Sequence, residues 1–297
     1  SLNSTISAGS GNDTVNVLAG LGSSFDLGDG DNVLIADASV GSVTTGSGDD
    51  VITLSGGQNS VSLEIRDEIY SNGAFRSSWL YSYVNNWGKS NVKAGSGDDI
   101  ITLTGSIEFQ TYDYGWYSGS YGTGYGYGHI YGEDGNDTID ASNTTAVRNL
   151  NGGAGDDIIY GAQEYTQEIH GGTGDDIIVS NRGQIASNRW SNIDGGDGND
   201  TITSNTTLGI TNISIYGGKG DDIITAGDGN YSIYGDTGSV RNYSENDWWW
   251  NYYGIRDYSQ GGNDTITAGA GNDSIWGGYG DDIINAGDGD NTVYGGD

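Results

Sequence analysis

Apolar residues along this chain come in pairs that bracket polar, glycine-rich turns. Two residues after an Asp stands Val15, Ile52, Ile101, Ile139, Ile159, Ile178, Ile202, Ile224, Ile266, Ile275 or Ile284. Ahead of the turns, at a fixed offset, stands Ile6, Val43, Val92, Ile130, Leu150, Ile169, Ile193 or Ile215. The stretches between are short and rich in Thr, Ile and Val, residues that fit a pleated, half-buried surface. Nothing follows the period of a helix. The pattern therefore predicts an all-β chain of short strands, each turning one aliphatic inward on either side of a turn.

The turn reads Gly, any residue, Gly, Asn or Asp, then Asp. It appears at Gly9–Asp13, Gly46–Asp50, Gly95–Asp99, Gly153–Asp157, Gly172–Asp176, Gly196–Asp200 and Gly218–Asp222, with a variant at Glu133–Asp137. Near the end it recurs at nine-residue spacing through Asp264, Asp273, Asp282 and the variant Asn291. Elsewhere it returns after about two such units, so two strands and two turns make one coil of roughly 18 residues. The expectation is a single solenoid over residues 1–297, with the regular turns on one edge and a more variable opposite edge. About 12 to 15 coils stacked at about 4.8 Å give a rod about 55–70 Å long.

Composition sharpens this reading. Of 297 residues 55 are Gly, and such a chain stays unfolded unless the glycines serve a repeated backbone geometry. Acidic residues outnumber basic ones 41 to 10, for a net charge of −31, which argues against nucleic acid and makes cations the attractive partners. The absence of Cys removes disulfides and thiolate chemistry. No apolar run is long enough for a membrane-spanning helix. The chain opens on Ser1 with no signal-peptide pattern, as a mature or excised product would.

The turns resemble the RTX nonapeptide Gly-Gly-x-Gly-x-Asp-x-U-x, a calcium-binding β-helix repeat. That resemblance implies a right-handed parallel β-roll with Ca²⁺ held between turns that are neighbours along one edge. It also implies the side-chain ligands: Asp13, Asp50, Asp99, Asp137, Asp157, Asp176, Asp200, Asp222, Asp264, Asp273 and Asp282. Glycine carbonyls such as those of Gly153, Gly155, Gly172 and Gly174 would complete the sites, since Ca²⁺ takes six to eight oxygen ligands. Roughly ten ions would offset about 20 negative charges and couple metal binding to folding. Extracellular sites often bind in the 10⁻⁴–10⁻³ M range, so such a chain would be unfolded inside a cell and folded outside. Asn32, Tyr231 and Asn291 depart from the pattern in the Asp slot, and the unit starting at Gly235 has Val240 there. Those sites would be empty, weaker, or completed by a neighbour such as Asp31 or Asp290.

Three insertions, at about 64–91, 105–131 and 239–258, break the repeat. They concentrate the aromatics: 21 of 32 fall in Tyr70–Trp87, Tyr112–Tyr131 and Tyr243–Tyr258. Three readings stand for these loops: a cover over the irregular edge, a subunit or lattice contact, and a platform for glycan. Asn143, Asn205, Asn212 and Asn242 begin Asn-x-Ser/Thr triplets and read as solvated residues. No nucleophile elbow or zinc-protease motif is present, and His129 and His170 read as solvated strand-end residues. The chain is thus expected to be a non-enzymatic, secreted, calcium-binding structural module of the cell surface. It would be a surface layer, fibre or adhesin, exported by a type I system and self-associating into a filament or lattice. Two alternatives are a polysaccharide-binding repeat module and the secretion and folding domain of a hydrolase.

Overall fold

The computed structural model describes residues 5–17, 21–36, 39–55, 91–105, 110–113, 118–121, 127–144, 146–163, 165–182, 191–206, 213–236 and 261–296. Among these, strands alternate between two parallel sheets of twelve and eleven strands. Each coil gives one strand to each. Ala146–Ala154, for example, lies in the first sheet between Tyr127–Asp134 and Tyr165–Thr173. Ile158–Tyr160, next in the chain, lies in the second between Thr138–Thr144 and Ile177–Arg182. Twelve strands at about 4.8 Å spacing make a rod about 53 Å long, just below the expected range.

The bracketing aliphatics line the interior as two facing rows. In the first sheet Val43, Val92, Ile130, Leu150, Ile169, Ile193 and Ile215 pair in register and are buried. In the second, Ile139, Ile159, Ile178, Ile202, Ile224 and Ile266 do the same. Strands buried on one face alternate, so the residue on either side of each aliphatic points outward. The core is one side chain deep from each sheet, and burial of an aliphatic side chain contributes about 1.5–3 kcal/mol.

The outward face of the second sheet is unusual for so acidic a chain. One row runs Thr14, Val33, Val51, Ile100, Thr138, Ile158, Ile177, Thr201, Ile223, Thr265 and Ile283. The parallel row contains Thr53, Thr102, Val179, Thr203, Thr225 and Thr267, with Asp140 as its one charged residue. Ile35, Val51, Ile100, Ile177 and Ile223 are exposed there. On the outer face of the first sheet, Tyr216, Tyr234, Trp276 and Tyr294 stack ring on ring at 4.5–5.7 Å.

Two expectations need correction. The stretch 105–131 is not insertion throughout: Tyr127–Asp134 is a regular strand paired on both sides, and Gln110–Asp113 with Ser118–Tyr121 forms an antiparallel hairpin. Strands paired into the first sheet therefore resume at Tyr127, and the aromatic count overstated that insertion. His129 and His170 are not solvated strand ends. Both lie inside strands and are half-buried, and His170 Nδ1 is 3.7 Å from Asp194. Burial, aided by nearby Arg148, pushes the His129 pKa down, so its neutral form is favoured. Residues 64–90 and 239–258, with Asn212 and Asn242, lie outside the described residues; Asn143 and Asn205 are exposed as expected.

Candidate metal centre

The turn after Tyr165–Thr173 shows how the repeat works. It runs Gly171-Gly172-Thr173-Gly174-Asp175-Asp176 and passes the chain to Ile177–Arg182 in the other sheet. Gly172 and Gly174 have φ of 133° and 122°, a region closed to residues with a Cβ at low cost. A Cβ at Gly172 would also strike the carbonyl of Gly153 in the preceding coil. The repeated glycines are thus needed twice, for chain direction and for close stacking.

The sixth residue of each turn points inward and forms a ladder. The backbone N–H of Asp176 donates to Oδ1 of Asp200 in the next coil at 2.8 Å. The same bond, at 2.6–3.0 Å, links Asp13, Asn32, Asp50, Asp99, Asp137, Asp157, Asp176, Asp200, Asp222, Asp264 and Asp282 in order. Each carboxylate along most of this row therefore uses one oxygen to satisfy a main-chain donor. Its other oxygen has no such use. Oδ2 of Asp13, Asp50, Asp99, Asp137, Asp157, Asp176, Asp200, Asp222, Asp264 and Asp273 is buried without a hydrogen-bond partner.

The space beside that oxygen is bounded by carbonyls. A Cβ at Gly171 would collide with Oδ2 of Asp176 and with the carbonyl oxygen of Gly195 in the next coil. The same pairing surrounds Gly152, Gly195, Gly217 and Gly277, so at each a carboxylate oxygen and a carbonyl oxygen converge on one small volume. Burying a charge next to carbonyl oxygens is costly unless a cation or proton joins it. Accordingly burial, the largest cause, raises the pKa of seven of these Asp residues: to about 8 for Asp99 and Asp176, about 7 for Asp157, Asp200 and Asp264, about 6 for Asp137 and about 9 for Asp222. The N–H bond to Oδ1 pulls the other way, and neighbouring carboxylates push further up. The donor set is all oxygen and fits a hard cation such as Ca²⁺. Among the described residues no three Asp, Glu or His side chains gather into one cluster, so an ion here takes main-chain carbonyls for much of its shell.

Ten of the expected Asp residues share this edge. Asp273 lies on the opposite edge, where it accepts the N–H of Tyr231 at 2.9 Å. Near the end of the chain the nine-residue unit makes half a coil, so both edges carry the same turn. The unit at Gly235 is also corrected. Its sixth residue is Asp264, not Val240: a Cβ at Gly235 would meet Oδ2 of Asp264 and the carbonyl of Gly277. The turn holds Gly235 and Asp236 and resumes at Gly261, so 24 residues of sequence split a tight motif. Asp236, which sequence reasoning passed over, is buried and accepts the N–H of Gly262 at 2.8 Å; burial raises its pKa.

Asp31 belongs to a second, exposed row made by the fifth residue of each turn, and Asp290 to the corresponding row of the opposite edge, where its N–H donates to Oδ1 of Asn272 at 3.0 Å. In the row of Asp31 the N–H of Asp31, Asp49, Asp98, Asn136, Asp156, Asp175, Asn199, Asp221, Asn263 or Asp281 donates to the preceding turn's Oδ1 at 2.7–3.1 Å. The two rows run in opposite directions, one reaching forward along the solenoid and one back. The Asn-or-Asp preference at position five was visible in the sequence, but its use depends on a partner one coil away.

A two-sheet parallel solenoid with glycine turns and a stacked row of half-satisfied carboxylates is the architecture of a β-roll. The family model for the RTX calcium-binding nonapeptide repeat (four copies) matches residues 3–20, 129–143, 149–163, 168–184, 191–206, 214–239 and 258–293. The chain carries this repeat, and RTX repeats bind Ca²⁺. The turns ending at Asn32, Asp50 and Asp99 lie outside the matched residues yet stack in the same ladder. No curated protein matches the chain.

Proposed function

We propose that the chain is a single extracellular structural domain that folds on binding several calcium ions, without catalysis. The observation that carries this reading is the set of ten buried, unpartnered Oδ2 atoms on Asp residues of Gly-Asp turns, nine in one row and that of Asp273 on the opposite edge. In this reading Asp13, Asp50, Asp99, Asp137, Asp157, Asp176, Asp200, Asp222, Asp264, Asp273 and Asp282 are the side-chain ligands. The carbonyls of Gly153, Gly155, Gly172 and Gly174 and of their counterparts join them, with Gly171 and Gly195 from the geometry above. Calcium supplies the positive charge that lets carboxylate and carbonyl oxygens face each other in a dry turn. The protein's own residues hold the oxygens in place through the two ladders.

Self-association is supported by the outward face of the second sheet. In a chain of net charge −31 this flat surface carries exposed Ile and Val with Thr, and Asp140 as the one charge in two rows. Flat apolar surface free of charge is where two copies can approach. The stacked rings of Tyr234 and Trp276 are covered by neighbours on both sides, so they offer edges and not faces to a sugar. Removal of calcium with a chelator is expected to abolish the β-sheet circular dichroism signal, and re-addition to restore it. A signal indifferent to chelator would overturn the calcium reading.

A further inference from the structure

Asn32 fills the sixth position of its turn, where the other turns of that edge carry Asp. It is 1 % exposed and fully engaged. Its Oδ1 accepts the N–H of Asp13 at 3.0 Å, as each Asp Oδ1 accepts the N–H before it. Its Nδ2 donates to the carbonyls of Gly28 at 3.1 Å and Gly30 at 2.7 Å. Those carbonyls stand four and two residues before it. At the same offsets from Asp157 stand Gly153 and Gly155, and from Asp176 stand Gly172 and Gly174. An amide NH₂ carries two donors, while a carboxylate oxygen carries none. The amide therefore meets the need that a cation meets beside Asp. The network also decides the amide's orientation, since only Oδ1 can accept from Asp13 and only Nδ2 can donate to two carbonyls.

A related arrangement occurs on the opposite edge. Asn291 accepts the N–H of Asp273 at 2.9 Å through Oδ1, and its Nδ2 donates to the carbonyls of Ala286 at 2.8 Å and Gly287 at 3.4 Å, five and four residues before it. Neither Asn32 nor Asn291 leaves a buried polar atom without a partner, in contrast to the Asp of the turns around them.

We infer that Asn32 is a built-in replacement for a calcium ion, and that its turn binds none and stays closed without metal. The inference rests on the calcium reading of the Asp turns. It makes the two side chains interchangeable as a switch of stoichiometry: Asp calls for an ion, and Asn stands in for one. The test is an ion count by equilibrium dialysis with ⁴⁵Ca²⁺ on the full chain, together with circular dichroism, for four proteins. Relative to the wild type, Asn32→Asp should bind one more ion and Asp176→Asn one fewer. Asp176→Asn should keep its β-sheet signal at saturating calcium, whereas Asp176→Ala should lose the ion and require several-fold more calcium to fold. A folded Asn32→Asp with an unchanged count overturns the inference, as does an Asp176→Asn that behaves like Asp176→Ala. If Asn32→Asp does not fold, the Asp176 pair decides alone. A wild-type chain that takes up no calcium defeats the underlying reading and this inference with it, and is recognised before any variant is compared.

Discussion

At the scale of the residue, Asp176 shows what each turn asks of its carboxylate. One oxygen accepts an N–H and the other is buried beside a carbonyl, so without a cation the group holds a proton up to about pH 8. The sign of the pH dependence follows. A folded pKa above the ordinary 3.8 means that the metal-free fold is favoured where the group is protonated, at and below about pH 4. That stability is lost as pH rises through about 6 to 9, the range of these Asp groups. In chelator, acidification from pH 8.5 to 4.5 should therefore recover β-sheet signal, and failure to do so would contradict the assigned burial. With calcium present the order reverses, because ligands must shed their protons to bind. A second residue-scale expectation concerns Gly171. Gly171→Ala places a methyl group against Oδ2 of Asp176 and the Gly195 carbonyl, and should remove one ion from the dialysis count. Positions four and six of the turn were legible because they repeat. The opposed ladders and the volume beside position one were not, because each joins residues about a coil apart that only the stacking register brings together.

At the scale of the element, strands and turns were legible for different reasons. The aliphatic on each side of a turn announced its strand, and Ile139, Ile159, Ile178 and Ile202 indeed pair directly in one buried row. Ile178→Ala should cost about 2–5 kcal/mol, seen as a higher calcium concentration at the folding midpoint. Where reading by local pattern failed, the chain had broken local order. Gly235 and Asp264 form one turn although 28 residues of sequence lie between them, so counting along the chain assigned Val240 to the wrong slot. The start of the strand Tyr127–Asp134, up to Tyr131, falls in the expected insertion because its Tyr residues resemble those of the stretch ahead of it. The outward rows of the second sheet yield a further expectation. Ile177→Lys with Ile223→Lys places charge on the exposed face without touching the core. It should leave the circular dichroism spectrum unchanged and shift sedimentation at millimolar calcium toward monomer.

At the scale of the whole molecule, the acidic excess and the fold are one fact seen twice. Stacking brings the inward Asp residues into a row in which each N–H is satisfied by the next coil, and it also sets their negative charges side by side. In the proposed reading, cations entering the row let the roll and the ionised carboxylates coexist near neutral pH. The absence of Pro suits such a molecule, since each strand lends its N–H groups to a neighbour. Solenoid architecture, the edge that carries the turns and the calcium chemistry could all be anticipated from repetition. What the insertions add could not, because their aromatics obey no repeat.

The most direct test of the central claim is a calcium titration of the chelator-treated full chain at pH 7.5, followed by far-ultraviolet circular dichroism with the bound ions counted in parallel. The account predicts little β-sheet at the outset, a cooperative rise complete by millimolar calcium, and about ten ions bound per chain at the plateau. A fully formed β-sheet spectrum before any calcium is added, with no ions taken up, would contradict it.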